Sequence, residues 1–343
     1  MMRLPLPWLL ALTTAALALL LVGSLATGPM SLSFGESLRA LFAGQQSGIE
    51  AHKLLIVQEI RLPRTLLCIA VGAILGLCGA VMQGLFRNPL ADPGIIGVSG
   101  GAALGAALAI VLLAPLSQQW QSLLGLGLLP LLAFLGGALT TTLVYLLGTR
   151  EGGTSVTVML LAGVAITALS GAVIGLLTYL ADDQMLRNLS LWQMGSLAAG
   201  KPLDVALALA TLAALLWLFM RDANPLNALL LGEGEARHLG VNVQALKRRL
   251  ILLTAAGVGV AVAVAGMIGF VGLVVPHLVR LLAGPNHVRL LPLSALLGAG
   301  LLLGADMLAR TLLAPAELPV GIITALMGAP FFIWLLVKSR RTL

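Results

Sequence analysis

Long apolar runs fill this sequence almost from end to end, and one long polar stretch interrupts them. Because a helix crosses the hydrocarbon core of a bilayer with about 20 apolar residues, these runs predict membrane-spanning helices. The predicted spans lie near residues 8–27, 61–84, 94–114, 123–148, 155–180, 204–220, 290–310 and 319–337. The interruption, residues 221–249, carries charges of both signs and two glycines around Glu233. We call it the polar segment and interpret it as the surface on which the chain contacts a soluble partner.

Residues 250–283 are harder to divide, because glycines and Pro276 punctuate this apolar run. The pattern fits either one long kinked span or one span followed by a short returning helix. Positive charge favours the second alternative, since Lys and Arg are concentrated on the cytoplasmic side of membrane proteins. The basic clusters at 247–249 and 338–341 both belong on that side only if an even number of spans separates them. Two helices, the second at about 269–283, meet this condition, so we expect ten spans with both termini in the cytoplasm.

The composition is typical of a chain embedded in a membrane. Hydrophobic residues make up 59% of the chain and charged residues 10%, whereas about 25% of the residues of a soluble domain are charged. An open sheet would leave backbone groups unpaired in lipid, and the alternating strands of a membrane barrel are absent. We therefore expect residues 1–343 to form one all-α polytopic domain in the lipid bilayer. The net charge of +7 reflects orientation in the membrane and requires no nucleic acid as a partner.

Ionisable residues are nearly absent from the predicted spans. Carriers driven by proton or sodium gradients place such residues near the middle of the membrane, and here only Asp306 falls well inside a span. The sequence contains no G-x-x-x-x-G-K-[S/T] motif, so it lacks a P-loop for a nucleotide. We therefore expect a chain that is not an enzyme and binds no cofactor, and that receives energy from a separate ATPase through the polar segment. A stand-alone secondary carrier is the alternative.

One short motif raises a catalytic alternative. Residues 97–101 read GVSGG and match the G-x-S-x-G pattern around a serine nucleophile. An intramembrane protease would pair Ser99 with a histidine, and His277 is the candidate. The plain interpretation, which we prefer, is a glycine-rich entry to a helix, because the strand–turn–helix context of the motif is missing. No H-E-x-x-H motif and no cluster of Cys and His occur, so no metal site is predicted.

Several motifs resemble the FecCD family, the permeases of type II ABC importers for vitamin B12, iron–siderophores and haem. The resemblance runs in order from about residue 55 to residue 338. Its motifs are RLPR (61–64), GAVMQGLFRNPLADPGIIGVSGGA (79–102), LLAGVAI (160–166), LWQMGSL (191–197), GEARHLGVNV (234–243), GFVGLVVPHLVRLLAGPNH (269–287), LLPLSALLGA (290–299) and PAELPVGIITALMGAPFFIWLL (315–336). The resemblance implies the type II ABC importer permease fold, with about ten transmembrane helices. It also implies a homodimer in the bacterial inner membrane, two cytoplasmic ABC ATPase subunits that bind ATP, and a periplasmic substrate-binding protein.

The resemblance assigns roles at both faces of the membrane. Residues 224–231 and 234–239 of the polar segment resemble coupling helices that dock in a cleft of the ATPase. The residues implied for ATPase coupling are Glu233, Glu235, Arg237 and Gly240. On the periplasmic face, Arg61, Arg64 and Arg310 match the positions that receive carboxylates of the binding protein. Guanidinium suits this role because it stays charged and binds carboxylates through two hydrogen bonds, although single arginines at helix ends often only extend to the interface.

The implied cytoplasmic gate consists of two connections between spans. Asn88 and Leu90 lie in the first connection, and Thr154 and Thr157 lie in the second. Pro89 fixes the first in a tight extended turn. Both stretches are also compatible with plain connections that have no gating role.

The cargo is less closely defined by the resemblance. The segment ADDQMLRNLSLW at 181–192 looks more like that of haem-importing members than that of the vitamin B12 member. Arg187 would then guide a haem propionate at the mouth of the path, so we expect haem as the cargo. Iron–siderophores and vitamin B12 are the alternatives. Arg187 would otherwise pair with Asp182 or Asp183, or contact the binding protein.

Overall fold

The computed structural model describes residues 5–28, 30, 32–42, 50–113, 127–150, 153–198 and 200–339. The described helices are α1 (Leu6–Ala26), α2 (Phe34–Phe42), α3 (Ala51–Leu85), α4 (Val98–Val111), α5 (Leu128–Gly148), α6 (Val156–Leu180), α7 (Asp183–Gln193), α8 (Pro202–Arg221), α9 (Ala223–Leu231), α10 (Glu233–His238), α11 (Val243–Ala265), α12 (Val271–Ala283), α13 (His287–Thr311) and α14 (Val320–Ser339). A small antiparallel hairpin, β1 (Thr149–Arg150) and β2 (Gly153–Thr154), connects α5 to α6.

The architecture is an all-α bundle of apolar helices. In the described part of the chain, seven helices are long and apolar enough to cross a membrane, and three shorter apolar stretches, α4, α12 and Val320–Leu335 of α14, lie among them. Together they match the predicted number of about ten. The run at 250–283 divides as the charge pattern predicts, because α11 ends at Ala265 and α12 begins at Val271. Gly266 and Phe270 both have positive φ angles, 69° and 68°, and reverse the chain between the two helices.

Helix α3 forms the centre of the bundle. In its most apolar stretch 89% of the residues are buried, and it packs against α8, α11, α12 and α13. Glycines allow the backbones to touch. A methyl group added at Gly72 would overlap the carbonyl oxygen of Gly298 on α13, and one at Gly79 would overlap that of Gly272 on α12. Close approach through small residues is the usual way for helices to pack in lipid.

The contacts of α3 with α13 define the two ends of the bundle. Arg64, in the first half of α3, contacts Asp306, near the end of α13. Gly84, near the end of α3, lies against His287 at the start of α13. The two helices are therefore antiparallel. We call the side of Arg64 the arginine end, and the opposite side, next to residues 222–242, the polar-segment end.

The structure also contains elements that the hydrophobic pattern did not predict. Helix α3 begins at Ala51, ten residues before the predicted span, and includes a π turn at Ile56–Arg61. The short helices α2 and α7 lie in connections at the arginine end. Helix α4 begins at Val98 rather than near residue 94, because Pro93–Ile96 form a separate 3₁₀ turn. These stretches mix polar and apolar residues and do not stand out as long apolar runs.

Candidate functional site

A buried ionic cluster lies at the arginine end. Arg64 donates from Nε and Nη2 to Oδ1 of Asp306, at 3.0 and 2.9 Å, and from Nη1 to Oε2 of Glu317, at 2.7 Å. Nε of Arg310 lies 3.0 Å from the other carboxylate oxygen of Asp306. Asp306 is fully buried, and Glu317 is partly exposed. The carboxylate of Asp306 therefore joins two of the three arginines predicted to receive the binding protein.

Arg310 also connects the cluster to helix α1. Its Nη1 donates to the carbonyl oxygens of Thr27, at 3.0 Å, and Ser24, at 3.2 Å, and its Nη2 donates to the hydroxyl of Ser24, at 2.8 Å. The last carbonyl groups of a helix have no partner within the helix, so the guanidinium stabilises the end of α1.

Arg61 serves the same helix end from α3. Its Nη1 donates to the carbonyl oxygens of Leu25, at 2.6 Å, and Ala26, at 3.0 Å, and its Nη2 donates to that of Met30. The three arginines thus lie at one end of the bundle, but they are buried and bound to internal acceptors. Their role as a docking surface stays a prediction.

The polar segment folds into two short helices at the opposite end. Helix α9 ends at Leu231 and α10 spans Glu233–His238, close to the two predicted coupling helices. Leu231 and Leu239 are 68% and 63% exposed, and Glu235 and Arg237 are exposed beside them. Gly240 has a φ of 83° and turns the chain toward α11. The segment therefore presents two leucines and charged neighbours away from the bundle.

Two contacts hold α9 and the residue that precedes it against the bundle. Asp222, just before α9, pairs with Arg249 on α11, with Nε 2.8 Å from Oδ2. The side-chain oxygen of Asn227 accepts the backbone N–H of His287, at 2.8 Å, and lies 2.9 Å from Nδ1 of its ring. His287 in turn packs against Gly84 of α3. The position of α9 is thereby fixed against α3, α11 and α13.

A third contact holds α10 in place, and no pattern in the sequence predicts it. Nζ of Lys247 donates to Oε1 of Glu233, at 2.6 Å, and to the carbonyl oxygen of Thr154, at 3.1 Å. The basic cluster at 247–249 predicts orientation in the membrane, but it does not show that Lys247 points inward. Long-range contacts of this kind come from the fold.

The predicted gate residues lie in two separate places at this end. Oδ1 of Asn88 accepts the N–H of Leu90, at 2.9 Å, and forms a local turn after α3. Thr154 is buried in β2, and Thr157 is exposed in the first turn of α6. Among the described residues, no hydrogen bond joins the first pair to the second. Gating by these residues stays a prediction.

Arg187 lies on α7 at the arginine end, and it is exposed. Asp182 caps α7, since its Oδ1 accepts the N–H of Met185 at 2.8 Å. Within the described ranges, Arg187 forms no ion pair with Asp182 or Asp183. The guanidinium is thus open to solvent, and the predicted alternative of a local ion pair is not formed.

Ser99 and His277 are not a catalytic pair in this structure. Ser99 lines a cavity of about 180 Å³ together with Asp92 and Gly94, between α3, α11 and the 3₁₀ turn. His277 lies on α12 in a T-shaped contact with the ring of Phe331, and neither ring nitrogen has a hydrogen-bond partner. In the described residues no hydrogen bond links the serine to the histidine, so the geometry that a protease needs is missing.

Comparison with known proteins identifies the family. A model of the FecCD transport family matches residues 16–338. The chain is 47% identical over 327 residues to the hemin transport system permease protein HmuU of Yersinia pestis, with 94% of this chain and 93% of the relative covered. It is 42% identical over 338 residues to the vitamin B12 import system permease protein BtuC of Klebsiella pneumoniae, with 97% and 94% covered.

A solved structure shares the whole architecture. It is an inward-facing conformation of a metal-chelate type ABC transporter, and it superposes with a TM-score of 0.83 at 35% sequence identity. The match covers 97% of this chain and 99% of that chain. The predicted family and the predicted all-α permease fold are therefore confirmed, and the chain is a multi-pass membrane protein. It belongs to the FecCD transport family.

Proposed function

We propose that this chain is the transmembrane permease subunit of an ATP-driven importer and that haem is its cargo. The observation that carries the proposal is the polar segment, in which α9 and α10 are tied to the bundle and leave Leu231 and Leu239 exposed. A chain without a nucleotide-binding motif needs such a surface to couple transport to ATP hydrolysis by a partner. The 47% identity to a hemin permease supports the same proposal.

Two ABC ATPase subunits would bind the polar segment. An apolar centre with a charged rim is the usual composition of a protein interface, and here two exposed leucines lie beside Glu235 and Arg237. The ATP then binds to the partner, and this chain binds no cofactor of its own. With this orientation the polar-segment end and both termini face the cytoplasm of a bacterium, and the arginine end faces the periplasm.

A second copy of the chain would complete the translocation path. Only 17% of the most apolar stretch of α6 is buried, against 89% for α3, and a methyl group added at Gly171 or Gly175 of α6 would point into open space. A path wide enough for haem is better formed between two copies at a two-fold axis, with the gate connections at its inner end.

A periplasmic binding protein would dock at the arginine end. Arg61, Arg64 and Arg310 are buried there, so the incoming carboxylate would first meet the most accessible member of the cluster, Glu317. Exchange of Glu317 for a carboxylate of the binding protein would leave the guanidinium of Arg64 paired throughout. Arg64 could then bind the partner's carboxylate, as predicted, without its guanidinium ever being left unpaired.

The cargo follows from charge and from the relatives. Haem is a mostly apolar ring with two carboxylates, and the exposed guanidinium of Arg187 at the arginine end suits such an anion. Haem is also the cargo named for a relative at 47% identity, while vitamin B12 is named for relatives at 42%. Vitamin B12 and iron–siderophores are therefore the alternatives.

Uptake into liposomes tests the function and the cargo together. The permease is reconstituted with its ATPase, and haem, cobalamin and a ferric siderophore are offered, each on its own binding protein. We expect ATP-dependent uptake of haem only. Uptake of another cargo instead would refute the assignment of haem, and uptake that a proton or sodium gradient drives without the ATPase would refute the importer.

A further inference from the structure

Lys247 is a buried cation in α11, next to α10. It lies in the second turn of α11 and is 2% exposed. Lysine is rarely buried to this degree unless its ammonium group has partners. Here the two partners are Oε1 of Glu233, at 2.6 Å, and the carbonyl oxygen of Thr154, at 3.1 Å.

The two partners belong to different segments of the chain. Glu233 is the first residue of α10, on the surface proposed for the ATPase. Thr154 ends β2, and the next residue, Ser155, caps α6 by accepting the N–H of Val158. The ammonium group of Lys247 therefore joins α10 to the connection that leads directly into Thr157.

A second side chain of α11 holds the same point of the hairpin. Gln244 precedes Lys247 by three residues, so both side chains lie on one face of the helix. Oε1 of Gln244 accepts the backbone N–H of Thr154, at 3.1 Å. Both backbone polar groups of Thr154 are thus bound by α11, and the N–H of Ser155 closes the hairpin on the carbonyl oxygen of Gly148, at 2.8 Å. The hairpin has little freedom to move independently of α11.

We propose that Lys247 is the positioning residue that transmits a displacement of α10 to β2 and to the first turn of α6. A buried ammonium group without its carboxylate is strongly disfavoured, so Glu233 and Lys247 move as one unit. The inference rests on the proposed function, because it takes the polar segment as the place where the ATPase acts.

The neighbouring basic residues differ from Lys247 and supply the control. Arg249 pairs with Asp222, and Arg248 is exposed. Lys247→Met and Arg248→Met each remove one positive charge from the same turn, so their effects on membrane orientation are alike. Only the first variant removes the bridge between Glu233 and Thr154.

The test compares these variants in the complete reconstituted importer. ATPase association, ATP hydrolysis and cargo uptake are measured, together with the thiol-labelling rate of Thr157→Cys with and without ATP. The natural cysteines, Cys68 and Cys78, are buried in α3, so the added thiol is the one that reacts. In Lys247→Met we expect the ATPase to associate normally and to hydrolyse ATP at the normal rate. We expect the labelling rate of Thr157→Cys to lose its dependence on ATP. Cargo uptake per ATP should fall about tenfold, which is within the usual range of coupling between two sites. Arg248→Met should behave like wild type.

Three results would overturn the inference. They are unchanged labelling and uptake in Lys247→Met, an equal defect in Arg248→Met, or loss of ATPase association in Lys247→Met, which would mean that Lys247 only shapes the docking surface. If Lys247→Met does not reach the membrane, Glu233→Gln replaces it, since it keeps an acceptor and removes the charge. Wild-type coupling in Glu233→Gln would also refute the link. Failure of the wild-type complex to import any cargo contradicts the proposed function alone, because the labelling response to ATP still reports the link.

Discussion

Asp306 binds Arg64 through a single oxygen, with Oδ1 at 3.0 Å from Nε and 2.9 Å from Nη2. Its other oxygen lies 3.0 Å from Nε of Arg310. One carboxylate thus compensates two buried guanidinium groups on α3 and α13. Because Arg310 also binds the end of α1, this carboxylate holds three helices together at the arginine end.

Replacing Asp306 with Asn should strongly destabilise the protein. The change keeps the shape of the side chain but leaves two buried cations without its charge, and breaking a buried pair in this way costs about 3–5 kcal/mol. The free energy of unfolding in detergent measures the effect. Glu59→Gln, an exposed carboxylate on the same end of α3, is the control and should change little. Equal stability of the two variants would contradict the role of Asp306.

Glu317→Gln should strengthen binding of the periplasmic binding protein. Glu317 is the partly exposed partner of Arg64, so it competes with an incoming carboxylate. An ion pair with one partly exposed partner contributes about 0.2–1 kcal/mol, which corresponds to binding up to about fivefold tighter. The dissociation constant for the reconstituted permease measures the effect.

The control for this prediction is Glu36→Gln at the same end. Glu36 pairs with Lys53, at 2.9 Å, and does not contact the arginines. It should leave the dissociation constant unchanged. Weaker binding after Glu317→Gln would show that Glu317 itself contacts the binding protein. Charge reversal at Arg61 or Arg64 is a poor test, because it would disrupt the helix contacts of those residues.

Changing Leu231 and Leu239 to Ser should weaken association of the ATPase. Burying one leucine contributes about 1.5–3 kcal/mol, so loss of both should reduce the affinity at least tenfold, since about 1.4 kcal/mol corresponds to a factor of ten. Co-purification of the ATPase with the permease measures it. Leu139→Ser, on an exposed face of α5, should have no effect on co-purification. Normal association of the double variant would exclude this surface.

Arg187→Ala should slow haem uptake severalfold and leave basal ATP hydrolysis intact. The guanidinium is exposed at the arginine end, where it would attract the propionates before the ring enters the path. Liposome uptake rates measure the effect. Arg39→Ala, an exposed arginine on α2, removes the same charge elsewhere and should leave uptake normal. Equal haem rates for both variants and wild type would remove Arg187 from the path.

The sequence predicts most of the helices because they are long apolar runs. The division of 250–283 is the clearest example. The basic clusters on either side of it lie on the same side of the membrane only if this run forms two helices, and α11 and α12 confirm that it does. The two short helices implied by the resemblance at 224–231 and 234–239 correspond to α9 and α10, and their role in coupling stays a prediction. By contrast, α2 and the first ten residues of α3 lie in stretches with Lys, Glu and His, which no hydropathy pattern marks as part of a span.

The partners of buried charged residues could not be predicted in the same way. Asp306 is 242 positions from Arg64 in the chain, and Ser24 is 286 positions from Arg310. Lys247 stands in a run of three basic residues, yet it alone is buried. Such contacts depend on how helices cross in three dimensions, and periodicity along one segment contains no information about them.

The π turn at Ile56–Arg61 determines which way the side chains at the start of α3 face relative to those in the rest of the helix. A π turn holds one residue more than an α-helical turn, and one residue corresponds to about 100° of rotation about the helix axis. Before the turn, Lys53 faces Glu36 on α2, and at its end Arg61 faces α1. A deletion of one residue here would restore a regular helix and swing Lys53 away from α2, while the buried part of α3 would stay in register. The turn therefore allows a single-residue deletion to rotate the outermost part of α3 without changing the packing of the buried part.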